Sequence, residues 1–130
     1  MKDIRELVLG LQHLGIPTAE VQKTIDFYAK FGFEITWQRT EPTQDRVAFL
    51  KRGSCVIETY YFDSPAMANG AVDHIALDVS DIEAVYAYVQ ELGFEVLEGG
   101  IADLPFFDKG VRYFTILGPN HEKVEFNQIL

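Results

Sequence analysis

Cysteine occurs once, at Cys55, so no internal disulfide can brace the fold. Flanked by Val56 and Ile57, Cys55 reads as a small core residue; a nucleophile would need a histidine and an electropositive setting that its surroundings do not offer. Basic residues are scarce, 11 Lys and Arg against 20 Asp and Glu, which leaves a net charge of −9. Such a balance repels nucleic acid and anionic lipid, and no basic run argues otherwise. Long apolar runs are missing too. The N-terminal stretch is broken by Lys2, Asp3, Arg5 and Glu6, which excludes both a secretory h-region and a spanning helix there. The expectation is a soluble, cytoplasmic protein with no nucleic-acid or membrane partner. What is present is a core: 48% hydrophobic residues in 130 can fill one compact domain, or two small modules.

The chain says the same thing twice. Leu11-Gln12-His13-Leu14 and a helix ending at Phe31-Gly32-Phe33-Glu34 recur as Val72-Asp73-His74-Ile75 and a helix ending at Leu92-Gly93-Phe94-Glu95. His13 and His74 lie 61 residues apart, as do Gly32 and Gly93, and Glu34 and Glu95. A constant offset near half the chain length marks two copies of one supersecondary unit, here residues 1–65 and 66–130.

The first copy reads as a strand over Leu7–Gly15 closed by Pro17, then a helix capped by Thr18 with Val21, Ile25, Tyr28 and Phe31 on its apolar face. Strands follow at Phe33–Arg39, Arg46–Lys51 and Cys55–Phe62. In the second copy Ser80 and Glu83 form a capping box ahead of a helix bearing Ile82, Tyr86, Val89 and Leu92. Strands at Phe94–Leu97, Val111–Leu117 and Lys123–Ile129 complete it, the last two joined by the turn Gly118-Pro119-Asn120-His121. Asp63–Gly70 is the link. Each copy is thus β-α-β-β-β, an α+β arrangement of two paired modules. One helix covers one face of a curled mixed sheet and leaves the other as a concave cavity for a ligand.

Alternation decides what points into that concavity. His74 alternates with Ile75 and Leu77, Glu125 with Val124 and Phe126, Glu58 with Ile57, and His13 with Leu14. His13, Glu58, His74 and Glu125 therefore share the open faces. A glutamate amid Cys55–Phe62 is costly without a partner. Two imidazoles and two carboxylates suit a divalent ion of the Zn, Ni, Co, Mn or Fe(II) group, and spacing does not choose among them. Tyr60 and Phe62 fall on the Glu58 side as pocket walls, with Tyr61 as core. Phe106 and Phe107, in the loop Leu104–Gly110, read as a lid or a dimer contact; Lys109 reads as a surface charge and Arg112 as a paired strand residue, with contact to an anionic substrate the alternative for either. His121 reads as a solvated turn residue.

The strand histidine followed by a helix, the Gly-Phe-Glu after it, and Gly118-Pro119-Asn120-His121-Glu122-Lys123-Val124-Glu125-Phe126 resemble the vicinal-oxygen-chelate superfamily. It includes glyoxalase I, bleomycin-resistance proteins and extradiol dioxygenases. The likeness covers nearly the whole chain, and the closing turn departs from the usual Asp-Pro-Asp-Gly-type start. It implies paired modules, often a homodimer, with His13, Glu58, His74 and Glu125 in the places of the metal ligands. It further implies a lyase or isomerase that removes a proton alpha to a carbonyl through a metal-stabilised enediolate, with Glu125 as first candidate for the base and Glu58 as second. Two departures argue against a glutathione-linked substrate: Pro17 stands where an arginine is usual, and Phe62 where an asparagine is. The alternative is metal-free sequestration of a small aromatic molecule. An extradiol dioxygenase fits less well, because Glu58 would fill a coordination position that such enzymes leave open.

Overall fold

The computed structural model describes residues 3–130, so Lys2 lies outside it. The chain divides into two compact units, one running up to Pro65 and one starting at Ala66. Among the described residues no helix is long and apolar enough to cross a membrane.

The first unit contains α1 (Ile4–Leu7), β1 (Leu14–Thr18), α2 (Val21–Ala29), β2 (Glu34–Arg39), β3 (Val47–Arg52) and β4 (Cys55–Tyr61). The second contains β5 (His74–Asp78), α3 (Ile82–Glu91), β6 (Ala102–Leu104), β7 (Val111–Leu117) and β8 (Lys123–Ile129). The class is α+β, with one four-stranded mixed sheet per unit, ordered β1-β4-β3-β2 and β5-β8-β7-β6. In both, the first strand runs parallel to the last and the other neighbours are antiparallel. A parallel pair needs a crossover, and α2 and α3 begin it.

Each helix covers one sheet face. Val21, Ile25, Phe27 and Tyr28 of α2 are buried over Ala48, Leu50, Ile57 and Thr59. In the second unit Ile82 and Val89 of α3 are buried over Phe114, Ile116, Val124 and Phe126. Each fully buried side chain of this size contributes roughly 1.5–3 kcal/mol, so these two clusters hold the units together. Both helices end alike. Gly32 and Gly93 adopt φ +84°, and the next amide reaches back to the carbonyl five residues earlier, Phe33 to Tyr28 at 3.1 Å and Phe94 to Val89 at 3.2 Å. Only glycine takes that left-handed step without steric cost, which explains why it recurs in both copies.

The structure corrects several local expectations. The strand expected over Leu7–Gly15 lies later, and Pro17 sits inside β1 instead of closing it. The Thr18 carbonyl accepts from the Phe62 amide at 2.9 Å, so Thr18 turns toward β4 and the N–H that Pro17 lacks falls on the opposite edge. No ladder bond is lost. Thr18 ends the strand and its hydroxyl accepts from the Glu20 amide at 3.0 Å; it does not cap α2. Asp81, one residue after Ser80, caps α3 by accepting from the Ala84 amide, so the Ser80–Glu83 box is not formed. Leu92 is exposed and Phe31 half-buried, so the apolar stripes are narrower at their ends than the periodicity suggests.

Phe94–Leu97 is not a strand, and the fourth strand of the second sheet is Ala102–Leu104. The intervening chain still lies on β7. Leu97 donates to the Thr115 carbonyl at 2.9 Å, and the Glu98 carboxylate accepts from the Thr115 amide at 2.6 Å. A side-chain oxygen there does the work of a strand carbonyl.

A bulge in β2 matters for the site. Ile35 pairs with Leu50 and Trp37 with Phe49, with a register shift between them. Simple alternation would place Trp37 on the helix side with Ile35. The extra residue carries it to the face of Phe49, and Phe49 pairs with Glu58.

Candidate metal centre

In the first unit, the parallel register sets Gly15 beside Glu58. His13, two residues before Gly15, projects to the same face, opposite buried Ile57 and Thr59. Its Nε2 stands 3.5 Å from Glu58 Oε1, with about a third of each side chain exposed. Its Nδ1 is 2.9 Å from Oε1 of Gln12. Gly15 has no side chain to intrude: a Cβ there would sit 3.8 Å from the Glu58 carboxylate and 3.7 Å from the Tyr60 ring. The Phe49 ring meets His13 edge to face at 5.5 Å, and Trp37 meets Phe49 at 6.2 Å.

The second unit repeats the construction. Ala76 pairs with Glu125, and His74, two residues earlier, shares their face. His74 Nε2 lies 3.6 Å from Glu125 Oε1. His74 Nδ1 lies 3.0 Å from Asp73 Oδ2, while the other Asp73 oxygen takes Asn69 at 2.6 Å and Lys123 at 3.5 Å. The hydrogen bond to His74, helped by the charge of Lys123, holds the Asp73 carboxyl below the usual carboxylate range. Glu125 is the more sheltered carboxylate, 14% exposed, and its Oε2 accepts from Asn127 at 3.0 Å. This group borders a cavity of about 260 Å³ that Glu98, Tyr113 and Thr115 also line.

Both pairs fit an ion. Two donors each about 2.1 Å from one metal and at a tetrahedral angle stand about 3.4 Å apart, close to the two separations found here. Imidazole nitrogen with carboxylate oxygen is also the donor set for a first-row divalent ion. In each unit the histidine Nε2 faces one carboxylate, and among the described residues no group of three or more such side chains is placed to hold an ion.

The other sequence candidates distribute as follows. Tyr60 lies on the Glu58 face, and Phe62 lies exposed just beyond β4. Phe106 and Phe107 are exposed between β6 and β7. Phe107 and Lys109 line a separate cavity of about 440 Å³ with Leu104, Pro105, Val111 and Leu130. Arg112 is a paired strand residue. Its neighbours in register place it on the helix face of β7, away from Glu125, where it pairs with Glu83 at 3.2 Å and Asp103 at 3.5 Å. His121 is exposed, with Nδ1 3.1 Å from the Met67 carbonyl. Cys55 is half-buried, and burial pushes its thiol up. Sequence reasoning missed Trp37, Phe49 and Glu98. The bulge conceals the first, register would have revealed the second, and nothing in the sequence signals that Glu98 turns back onto β7.

This fold and its paired histidine–glutamate faces define a class. The sequence pattern of the Glyoxalase/Bleomycin resistance protein/Dioxygenase superfamily matches residues 10–126, and the chain belongs to that superfamily. It is 31% identical over 126 residues to the "uncharacterized protein YwbC" of Bacillus subtilis, covering 91% of this chain and 96% of the other. The glyoxalase family protein from Enterococcus faecalis has a similar structure, with a TM-score of 0.74 at 26% identity over 93% of this chain and 98% of that one. So does the lactoylglutathione lyase from Agrobacterium tumefaciens, at 0.69 and 16% identity over 93% and 94%.

Proposed function

We propose that this chain is a metal-dependent lyase or isomerase acting on a small carbonyl compound, with His13, Glu58, His74 and Glu125 as metal ligands. The observation that carries the reading is the duplicated geometry: two histidine–glutamate pairs built on equivalent parallel strand pairs, with nearly equal separations. When bound, the ion would supply Lewis-acid polarisation of the substrate carbonyl. Glu125 takes the proton from the carbon alpha to that carbonyl, and the electron pair left behind shifts to the carbonyl oxygen. Asn127 holds one Glu125 oxygen and leaves the other turned toward His74. Glu58, with more of its side chain exposed, is the second candidate for the base. Half-burial of both carboxylates limits competition from water.

The substrate is not a glutathione conjugate in this reading. Pro17 and Phe62 offer no charged or amide group where such a conjugate would need anchors. An aromatic floor of Phe49 and Trp37 beside His13 favours an apolar substituent instead, and it also supports a second reading, metal-free sequestration of an aromatic molecule.

Elemental analysis of gently purified protein separates the two. A stoichiometric divalent ion, lost in His74→Ala, is the expected result, with Glu125→Gln retaining the ion and losing turnover of carbonyl substrates. Tight binding of aromatic ligands by metal-free protein, with no metal uptake, would sink the first reading in favour of the second.

A further inference from the structure

The residue immediately before each histidine makes the same contact in both units. Gln12 and Asp73 share the 61-residue spacing of His13 and His74, and each places a side-chain oxygen about 3 Å from the Nδ1 of the next residue. Neighbours within a regular strand point to opposite faces, so such contacts do not arise from strand geometry. They form because Gln12 and Asp73 stand outside β1 and β5, where the chain has not yet taken up the strand pleat.

We infer that Gln12 and Asp73 are positioning residues that lock His13 and His74 in the Nδ1–H tautomer and so present the bare Nε2 lone pair to an ion. The inference rests on the metal reading above. The oxygens that Gln12 and Asp73 turn to Nδ1 can only accept, so in a neutral imidazole these contacts favour the proton on Nδ1. That leaves Nε2, the atom facing Glu58 or Glu125, as the sole lone pair. A free histidine side chain in water prefers the opposite tautomer, with the proton on Nε2, which would block coordination. A second partner on the imidazole of a metal ligand commonly sets its tautomer and orientation.

The two locks differ. Gln12 is neutral, whereas Asp73 is anionic and is itself held by Asn69 and by Lys123, the residue that pairs with His74 in the β5–β8 register. The second unit therefore holds the stiffer donor, and His74 is the stronger ligand of the two histidines.

Long-range proton–nitrogen correlation spectra of the metal-free protein at about pH 8, above the ordinary histidine pKa of about 6.5, read the tautomers directly. His121, whose Nδ1 also faces an acceptor, serves as an internal control. Wild-type protein should show all three histidines as Nδ1–H. Gln12→Ala should release His13 alone and Asp73→Ala His74 alone toward Nε2–H, while Asp73→Asn keeps the tautomer. Zinc affinity by calorimetry should fall roughly 10- to 100-fold in the alanine variants, more for Asp73→Ala, and less in Asp73→Asn. Unchanged tautomers in folded alanine variants, or a wild-type spectrum with Nε2–H at either histidine, would overturn the inference even if zinc binds. Wild-type protein that takes up no zinc would instead defeat the proposed function, and the tautomer spectra would still decide the role of Gln12 and Asp73.

Discussion

Gly118→Ala should destabilise the second unit, and Glu122→Ala should abolish that effect. The reason is space. Gly118 is buried at the head of the turn into β8, its amide donates to the Glu122 carbonyl at 2.8 Å, and a Cβ on residue 118 would overlap the Glu122 carboxylate. That carboxylate accepts from the buried Asn120 amide at 2.8 Å. An added methyl pushes the carboxylate aside and leaves the amide without it. A bond to a charged acceptor of this kind is worth about 1.5–3 kcal/mol, so Gly118→Ala should cost about that much. Glu122→Ala removes the same bond and should cost a similar amount. In the double variant the methyl occupies space the carboxylate has vacated, so its cost should match Glu122→Ala alone. The coupling energy then equals roughly the whole single-variant effect. Urea denaturation of the four proteins, compared through their midpoints at constant slope, measures it. Additive costs would refute the steric argument and assign the penalty at Gly118 to the backbone.

Thr59 is fully buried and its hydroxyl finds no hydrogen-bond partner among the described residues, so Thr59→Val should stabilise the protein by about 1–2 kcal/mol in the same assay; a loss of stability would imply a hidden partner. Ile57, fully buried against Leu50, should cost about 2–5 kcal/mol as alanine and about 0.5–1.5 as valine, with a ratio near unity ruling out tight packing under α2. Because burial raises the Cys55 pKa, native protein should react with iodoacetamide more slowly than a free cysteine at neutral pH, and should speed up on unfolding. Rapid native labelling would contradict that environment.

The repeat carried the architecture because its signals are chemical necessities: a glycine for the left-handed step after each helix, apolar alternation for each covered face. The faces of Glu58 and Glu125 were legible for the same reason, since Ile57, Thr59, Val124 and Phe126 beside them are buried on the other side. What escaped notice depended on long-range partners. Pro17 reads as a strand terminator until its place on an outer edge is known. Thr18 and Ser80 look like helix caps, yet the chain starts each helix later, after Glu20 and Asp81. The β2 bulge, which brings Trp37 to Phe49, has no local signature. That Arg112 is paired was expected, but its partners Glu83 and Asp103 are distant in sequence.

Pro17 has a bearing on how the protein keeps to itself at high concentration. On the side of β1 turned away from β4, its ring replaces a donor, and the equivalent position in β5 is the exposed acid Asp78, likewise on the far side because Val79 is the residue that bonds Asn127. A strand from a neighbouring molecule meeting β1 finds a gap in the ladder, and one meeting β5 finds a negative charge. The same rung of both first strands thus carries, on the side turned from its ladder partner, a side chain that disfavours further strand pairing.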